Sequence, residues 1–143
     1  MCAEMEIDAN GSVIKYDIFP TVIHVYRRLT YKLVNRILVE KDTQMIEDNQ
    51  DILPLLHNLE AVYKVLNKRR QMRGAIDFDI PEVKVKLNAK GQAVSLVKRE
   101  HGFGESLIEE CMLEAIETVA VHMARIELAF ISRVVEEPVI DYM

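Results

Sequence analysis

Two stretches of strict residue alternation, each doubling back over a glycine turn, constrain this chain more than any other feature. In the first, Ala3, Met5 and Ile7 alternate with Glu4, Glu6 and Asp8, while Ile14, Tyr16 and Ile18 alternate with Lys15 and Asp17. Side chains two apart share one face of a strand, so each run reads as a half-buried strand. Ala9-Asn10-Gly11 lies between them, and Asn-Gly, whose residues tolerate positive φ, predicts a hairpin turn. Pro20 then ends regular pairing or confines it to an edge. In the second stretch Val83, Val85 and Leu87 alternate with Glu82, Lys84 and Lys86. Asn88-Ala89-Lys90-Gly91 makes the turn, and Val94, Leu96 and Lys98 return.

The segments around these hairpins have helical periods. Leu33, Val34, Ile37 and Leu38 predict a short helix starting after Thr30, a good N-cap residue. The polar run Glu40 to Gln50 reads as a loop. Ile52, Leu55, Leu56, Leu59, Val62, Tyr63 and Leu66 recur at three-four spacing, a strong helix that Gly74 stops. Gly102-Phe103-Gly104 opens a long helix whose expected buried stripe is Ile108, Cys111, Met112, Ala115, Ile116, Val119 and Met123. Ala129 to Val135 reads as a final strand, and Glu136-Glu137-Pro138 ends the ordered part. The expected class is α+β: β-hairpins and a mixed sheet packed with three main helices.

The 143 residues match the size of one domain, and half are apolar, which excludes a disordered polyelectrolyte. Lys plus Arg number 18 against 23 Asp plus Glu, a net charge of −5, so a uniformly basic nucleic-acid coat is excluded. The apolar runs are far too short to span a membrane, and no leader-like segment opens the chain. Cys2 and Cys111 lack metal-ligand spacing and read as free thiols in a reducing compartment, the cytoplasm.

Phosphate-loop, zinc-protease and nucleophile-elbow motifs are absent. His24, His57, His101 and His122 stand in unrelated contexts and read as structural or surface residues. Asp77 and Asp79, two apart on an extended segment, would face one side and could share a divalent cation, a weak signal. Gly102-x-Gly104 could offer backbone N–H groups to a phosphate, but Glu105 satisfies that helix start and repels an anion. The basic residues fall in two groups: Lys64, Lys68, Arg69, Arg70 and Arg73, and Arg27, Arg28, Lys32 and Arg36 beside Tyr26 and Tyr31. Helix C-terminal placement explains the first group. Phosphate contact with a single strand, its bases stacking on Tyr31 and Phe78, explains both.

Several stretches resemble the catalytic (RNB) domain of the ribonuclease II and ribonuclease R family, most closely its bacterial ribonuclease R branch. They are Ala3-Glu4-Met5-Glu6-Ile7-Asp8, Arg28-Leu29-Thr30-Tyr31, Arg73-Gly74-Ala75-Ile76-Asp77-Phe78-Asp79 and Leu107-Ile108-Glu109-Glu110-Cys111-Met112. Arg133-Val134-Val135-Glu136-Glu137-Pro138 is similar to a closing Arg-Val-His-x-x-Pro. The resemblance runs from about residue 3 to 138. It implies a processive, Mg-dependent 3′→5′ exoribonuclease that threads single-stranded RNA through a channel and releases nucleoside monophosphates. By position, Tyr31 matches a residue lying along the RNA near its 3′ end, Phe78 the aromatic stacking on the terminal base, and Glu109 a ribose contact. Tyr31 and Glu109 would together read the 2′-OH.

The family's Asp-rich metal motif belongs upstream of residue 1 and its Arg-rich motif downstream of residue 143. Residues 1–143 are therefore expected to be the middle part of the catalytic domain, with no catalytic residue and no metal ligand of their own. His101 and Ser106 stand where basic residues are usual, Ile116 replaces an Asn, Ser132 a Tyr and Val135 a His. Three functions follow: part of an exoribonuclease, inactive by itself; a non-catalytic RNA-binding module; or a decayed gene fragment. RNA binding is expected to be weak and salt-sensitive through the basic groups. Apolar surface left uncovered would favour self-association.

Overall fold

The computed structural model describes residues 1–76, 82–99 and 101–131. The elements run β1 (Cys2–Ile7), β2 (Val13–Phe19), α1 (Tyr31–Leu38), α2 (Thr43–Glu47), α3 (Leu53–Met72), β3 (Glu82–Leu87), β4 (Ala93–Arg99) and α4 (Phe103–Arg125). The α+β class holds, but the sheet differs from expectation. Among the described residues there are two separate two-stranded antiparallel sheets, β1–β2 and β3–β4, and no mixed sheet. Residues 129–131 have no regular structure, and the rest of the expected final strand, residues 132–135, lies outside the described residues. No helix among the described residues is long and apolar enough to cross a membrane.

Both hairpins turn by one device. The Asp8 carboxylate accepts the Asn10 and Ser12 N–H groups at 2.9 and 2.8 Å, and the Gly11 N–H reaches the Asp8 carbonyl at 3.0 Å. Asn88 repeats this with Lys90 and Gln92 at 2.9 and 3.0 Å. Positive φ falls on Gly11 (84°) and Gly91 (77°) and not on Asn10, so a side-chain-braced turn with a bulge replaces the expected two-residue turn.

The apolar core joins α1 to the start of α3. Val34, Ile37, Ile52 and Leu56 are buried, with Leu33, Leu38, Met45 and Ile46 packed around them. Thr30 caps α1 as predicted, its Oγ1 accepting the Leu33 N–H at 3.3 Å. The run read as a loop contains α2, because the Asp42 carboxylate accepts the Met45 N–H at 3.2 Å and nucleates a turn. That bond comes first, and Arg36 second, in holding the Asp42 carboxyl below the usual carboxylate range.

The long helix α4 presents a face other than the expected one. Ile108, Met112 and Ile116 of the apolar stripe are exposed, while Leu107, Glu110, Glu114 and Thr118 turn inward. The reason is electrostatic. Arg70 Nε meets Glu110 at 2.7 Å, Arg69 meets Glu114 at 3.0 Å and Arg73 meets Glu117 at 2.9 Å, a ladder from α3 to α4. Glu110 and Glu114 are only 4% and 7% exposed. Buried carboxylates require partners, and the arginines of α3 fix which face of α4 goes inside.

Candidate nucleic-acid interface

Asn35, one turn into α1, accepts the backbone N–H of Gly104 at 2.7 Å and so ties the start of α4 to α1. The approach is close: a Cβ on Gly104 would stand 3.3 Å from both Asn35 Oδ1 and the Tyr31 carbonyl oxygen. The Gly102 N–H goes to Glu105 Oε2 at 3.2 Å. The Gly102 and Gly104 amides are therefore both engaged within the protein and not offered to a phosphate. The glycines serve helix contact, not anion binding.

This contact opens a groove of about 370 Å³ between the N-terminus of α1 and the outer face of α4. Tyr31, His101, Glu105, Ile108, Glu109 and Met112 line it. Two of the three expected RNA contacts, Tyr31 and Glu109, thus reach one groove from different helices. The third, Phe78, lies outside the described residues, as do Asp77 and Asp79. The Glu109 carboxylate stands 3.5 Å from His101 Nε2, which is also 3.1 Å from Ser106 Oγ. Both partners meet the same ring nitrogen, so this is not a nucleophile–base–acid relay. A hydroxylated ring, a carboxylate acceptor and an imidazole in an apolar cleft suit a ribose and a stacked base.

The basic groups behave differently from expectation. Arg69, Arg70 and Arg73 are spent on the ladder, and Arg69 also donates to the Gly11 carbonyl at 2.7 Å. Lys64 pairs with Glu60 at 2.6 Å, Arg27 with Asp51 at 3.1 Å and Arg36 with Asp42. Arg28, Lys32 and Lys68 stay exposed. Arg69 and Arg70 of this cluster are structural, because their guanidiniums meet the buried Glu114 and Glu110, whereas Arg73 and Lys68 remain accessible to solvent. Sequence reading missed the signal: Glu110, Glu114 and Glu117 recur at helical spacing as a matching acidic line.

Among the described residues no three His, Cys, Asp or Glu side chains gather as a metal site. The clustered acids of α4 face arginines, so the described residues do not fit a divalent-cation centre. Cys2 and Cys111 are unpaired. Burial, reinforced by Glu110, pushes the Cys111 thiol up, which makes it a poor nucleophile.

Comparison with known proteins agrees with this architecture. The RNB domain family matches residues 1–143, and the chain belongs to that family. Its relatives carry the name ribonuclease R. The protein of Thermotoga maritima is 41% identical over 139 residues, covering 96% of this chain and 19% of its own length. Ribonuclease R 1 of Lactococcus lactis is 39% identical over 137 residues, covering 96% of this chain and 17% of its own length. The chain thus spans about a fifth of the length of these relatives. Among solved structures, RNase R of Mycoplasma genitalium superposes with a TM-score of 0.73 at 24% identity, over 90% of this chain and 20% of that one. The same protein in complex with ribose methylated single-stranded RNA gives the same score. That likeness is one of fold.

Proposed function

We propose that this chain forms part of the RNB catalytic domain of a 3′→5′ exoribonuclease, one wall of the channel that guides single-stranded RNA to hydrolysis. In this reading Tyr31 lies along the strand near its 3′ end, Phe78 stacks on the terminal base, and Glu109 accepts a hydrogen bond from the ribose 2′-OH. The observation that carries it is the single groove shared by Tyr31 and Glu109. The family match over residues 1–143 adds support. The Mg²⁺ of the reaction is held by acids outside these 143 residues, and the isolated chain binds RNA without cleaving it. The two unpaired thiols accord with a cytoplasmic site of action.

The test is a fluorescence-anisotropy titration of a labelled oligoribonucleotide against a deoxyribonucleotide of the same sequence. RNA is expected to bind more tightly. Tyr31→Ala is expected to lower RNA affinity by about tenfold, since a stacked base contributes roughly 1–3 kcal/mol. Glu109→Ala is expected to erase the preference for RNA over DNA. Equal affinity for both strands, an unaffected Tyr31→Ala, or monophosphate release by the isolated chain with Mg²⁺ would each overturn the reading.

A further inference from the structure

The groove between α1 and α4 carries the wrong charge for a nucleic acid while His101 is neutral. Among the described residues its titratable lining is Tyr31 from α1, His101 just before α4, and Glu105 and Glu109 from α4. The two carboxylates are then unopposed, and a strand that brings a phosphate with every nucleotide is repelled. No Lys or Arg stands among the described lining residues, so His101 is the one lining side chain that can turn positive.

The hydrogen bonds decide which ring nitrogen takes the proton. The Ser106 hydroxyl donates to the Gly102 carbonyl at 3.3 Å, so its oxygen meets His101 Nε2, 3.1 Å away, as an acceptor. The Glu109 carboxylate, 3.5 Å from the same nitrogen, can only accept. Two acceptors at one nitrogen fix the neutral tautomer, with the hydrogen on Nε2 and the lone pair on Nδ1. Proton uptake therefore falls on Nδ1, which has no hydrogen-bond partner among the described residues. The side chain is 57% exposed, so a ligand can reach it. The charged ring keeps Ser106 and Glu109 and gains one donor free for an anionic oxygen.

We propose that protonated His101 is the phosphate-binding group of this groove, its Nδ1–H donating to a phosphate oxygen beside the ribose that Glu109 holds. RNA binding then takes up a proton, because only the charged ring offers that donor and offsets a carboxylate. Imidazole is the side chain whose charge ordinarily changes between about pH 5 and 8. The assignment rests on the RNA-guiding function proposed above and adds a phosphate contact to it.

The test is the anisotropy titration at fixed ionic strength, between about pH 5.5 and pH 8. The probe is an oligouridylate without terminal phosphates, so that no group of the RNA titrates in this window. The native chain is expected to bind about tenfold more tightly at the acid end. His101→Gln, which keeps a donor for Ser106 and Glu109 but cannot charge, is expected to bind weakly and equally at both ends. His101→Arg is expected to bind tightly at both, since its charge does not titrate. An oligodeoxyuridylate is expected to show the same pH dependence as the RNA, because the group read is a phosphate.

A pH dependence that survives in His101→Gln would overturn the assignment, as would His101→Arg binding no more tightly than His101→Gln. Equal losses at both ends in His101→Gln would mark a merely structural role, and a dependence confined to RNA would move the effect to the ribose; each overturns the phosphate contact. All four results leave the reading of Tyr31 and Glu109 standing. RNA bound by none of the three proteins at any pH would remove that reading and the phosphate contact together.

Discussion

Asn35 Oδ1 accepts the Gly104 backbone N–H at 2.7 Å, and this bond sets the distance between the helix that carries Tyr31 and the helix that carries Glu109. The first-turn amides of a helix have no partner within it, so a side chain from α1 completes α4. Asn35→Ala is expected to lower stability by about 1–2 kcal/mol, because a half-buried donor loses its acceptor. RNA affinity is expected to fall with it, since the groove loses its fixed width. Urea unfolding and the anisotropy titration read the two effects separately. Unchanged values in both would show that other contacts hold the two helices together.

The ladder between α3 and α4 contains pairs of the same chemistry at different depths. Arg70–Glu110 is largely buried, with side-chain exposures of 21% and 5%, whereas both side chains of Arg73–Glu117 are nearly half exposed. Glu110→Ala removes a buried carboxylate that accepts from both Arg70 and Asn67 and is expected to cost about 1–3 kcal/mol. Glu117→Ala is expected to cost less than about 1 kcal/mol. Chemical denaturation of the two variants decides; equal losses would mean that burial does not govern the ladder.

Acid is expected to loosen the fold through particular carboxylates. The hydrogen bond from Arg73 holds the Glu117 carboxyl below the usual carboxylate range, and backbone N–H groups do the same first for Asp8 (from Ser12) and Asp42 (from Met45). A carboxyl whose folded pKa is depressed contributes stability above its unfolded pKa and loses it as the pH falls through the folded value. Stability should therefore be flat near neutrality and decline from about pH 4 downward. Glu117→Gln should make that decline shallower. Thermal melts across the acid range measure the slope, and an identical slope in the variant would remove Glu117 from the account.

The twin turns offer an internal control. Gly11 and Gly91 both have positive φ, but a Cβ on Gly11 would also stand 3.2 Å from the Val65 carbonyl and from Arg69 Cδ, while one on Gly91 meets nothing. Gly91→Ala is expected to cost only the backbone strain, about 1–2 kcal/mol at most. Gly11→Ala should cost more and disturb Arg69 as well. Comparing the two melting temperatures tests this, and a larger loss at Gly91 would contradict it.

Much of the fold was legible in the sequence because its signals are local. Alternation gave both hairpins, three-four spacing gave α1 and α3, and Thr30 marked its helix start. What escaped depends on partners distant in sequence. The buried face of α4 could not be chosen by hydrophobicity, because Glu110 and Glu114 go inside only once Arg69 and Arg70 are there to meet them. The same arginines looked like a phosphate surface until their partners were visible. At the groove, motif position alone paired Tyr31 with Glu109. The bond from Asn35 to Gly104 that brings them together had no sequence signature, since an Asn inside a helix has many uses.

Arg69 also bears on the order of folding. Its bond to the Gly11 carbonyl joins residues 58 apart in sequence, so β1 and β2 can seat only after a long loop has closed and α3 has formed. The β3–β4 hairpin, closed by the short bond from Asn88 to Gln92, needs no such meeting. Both hairpins close locally, by the Asp8 N–H to Ser12 carbonyl and the Asn88 N–H to Gln92 carbonyl bonds, but the first one made docks only once α3 has formed.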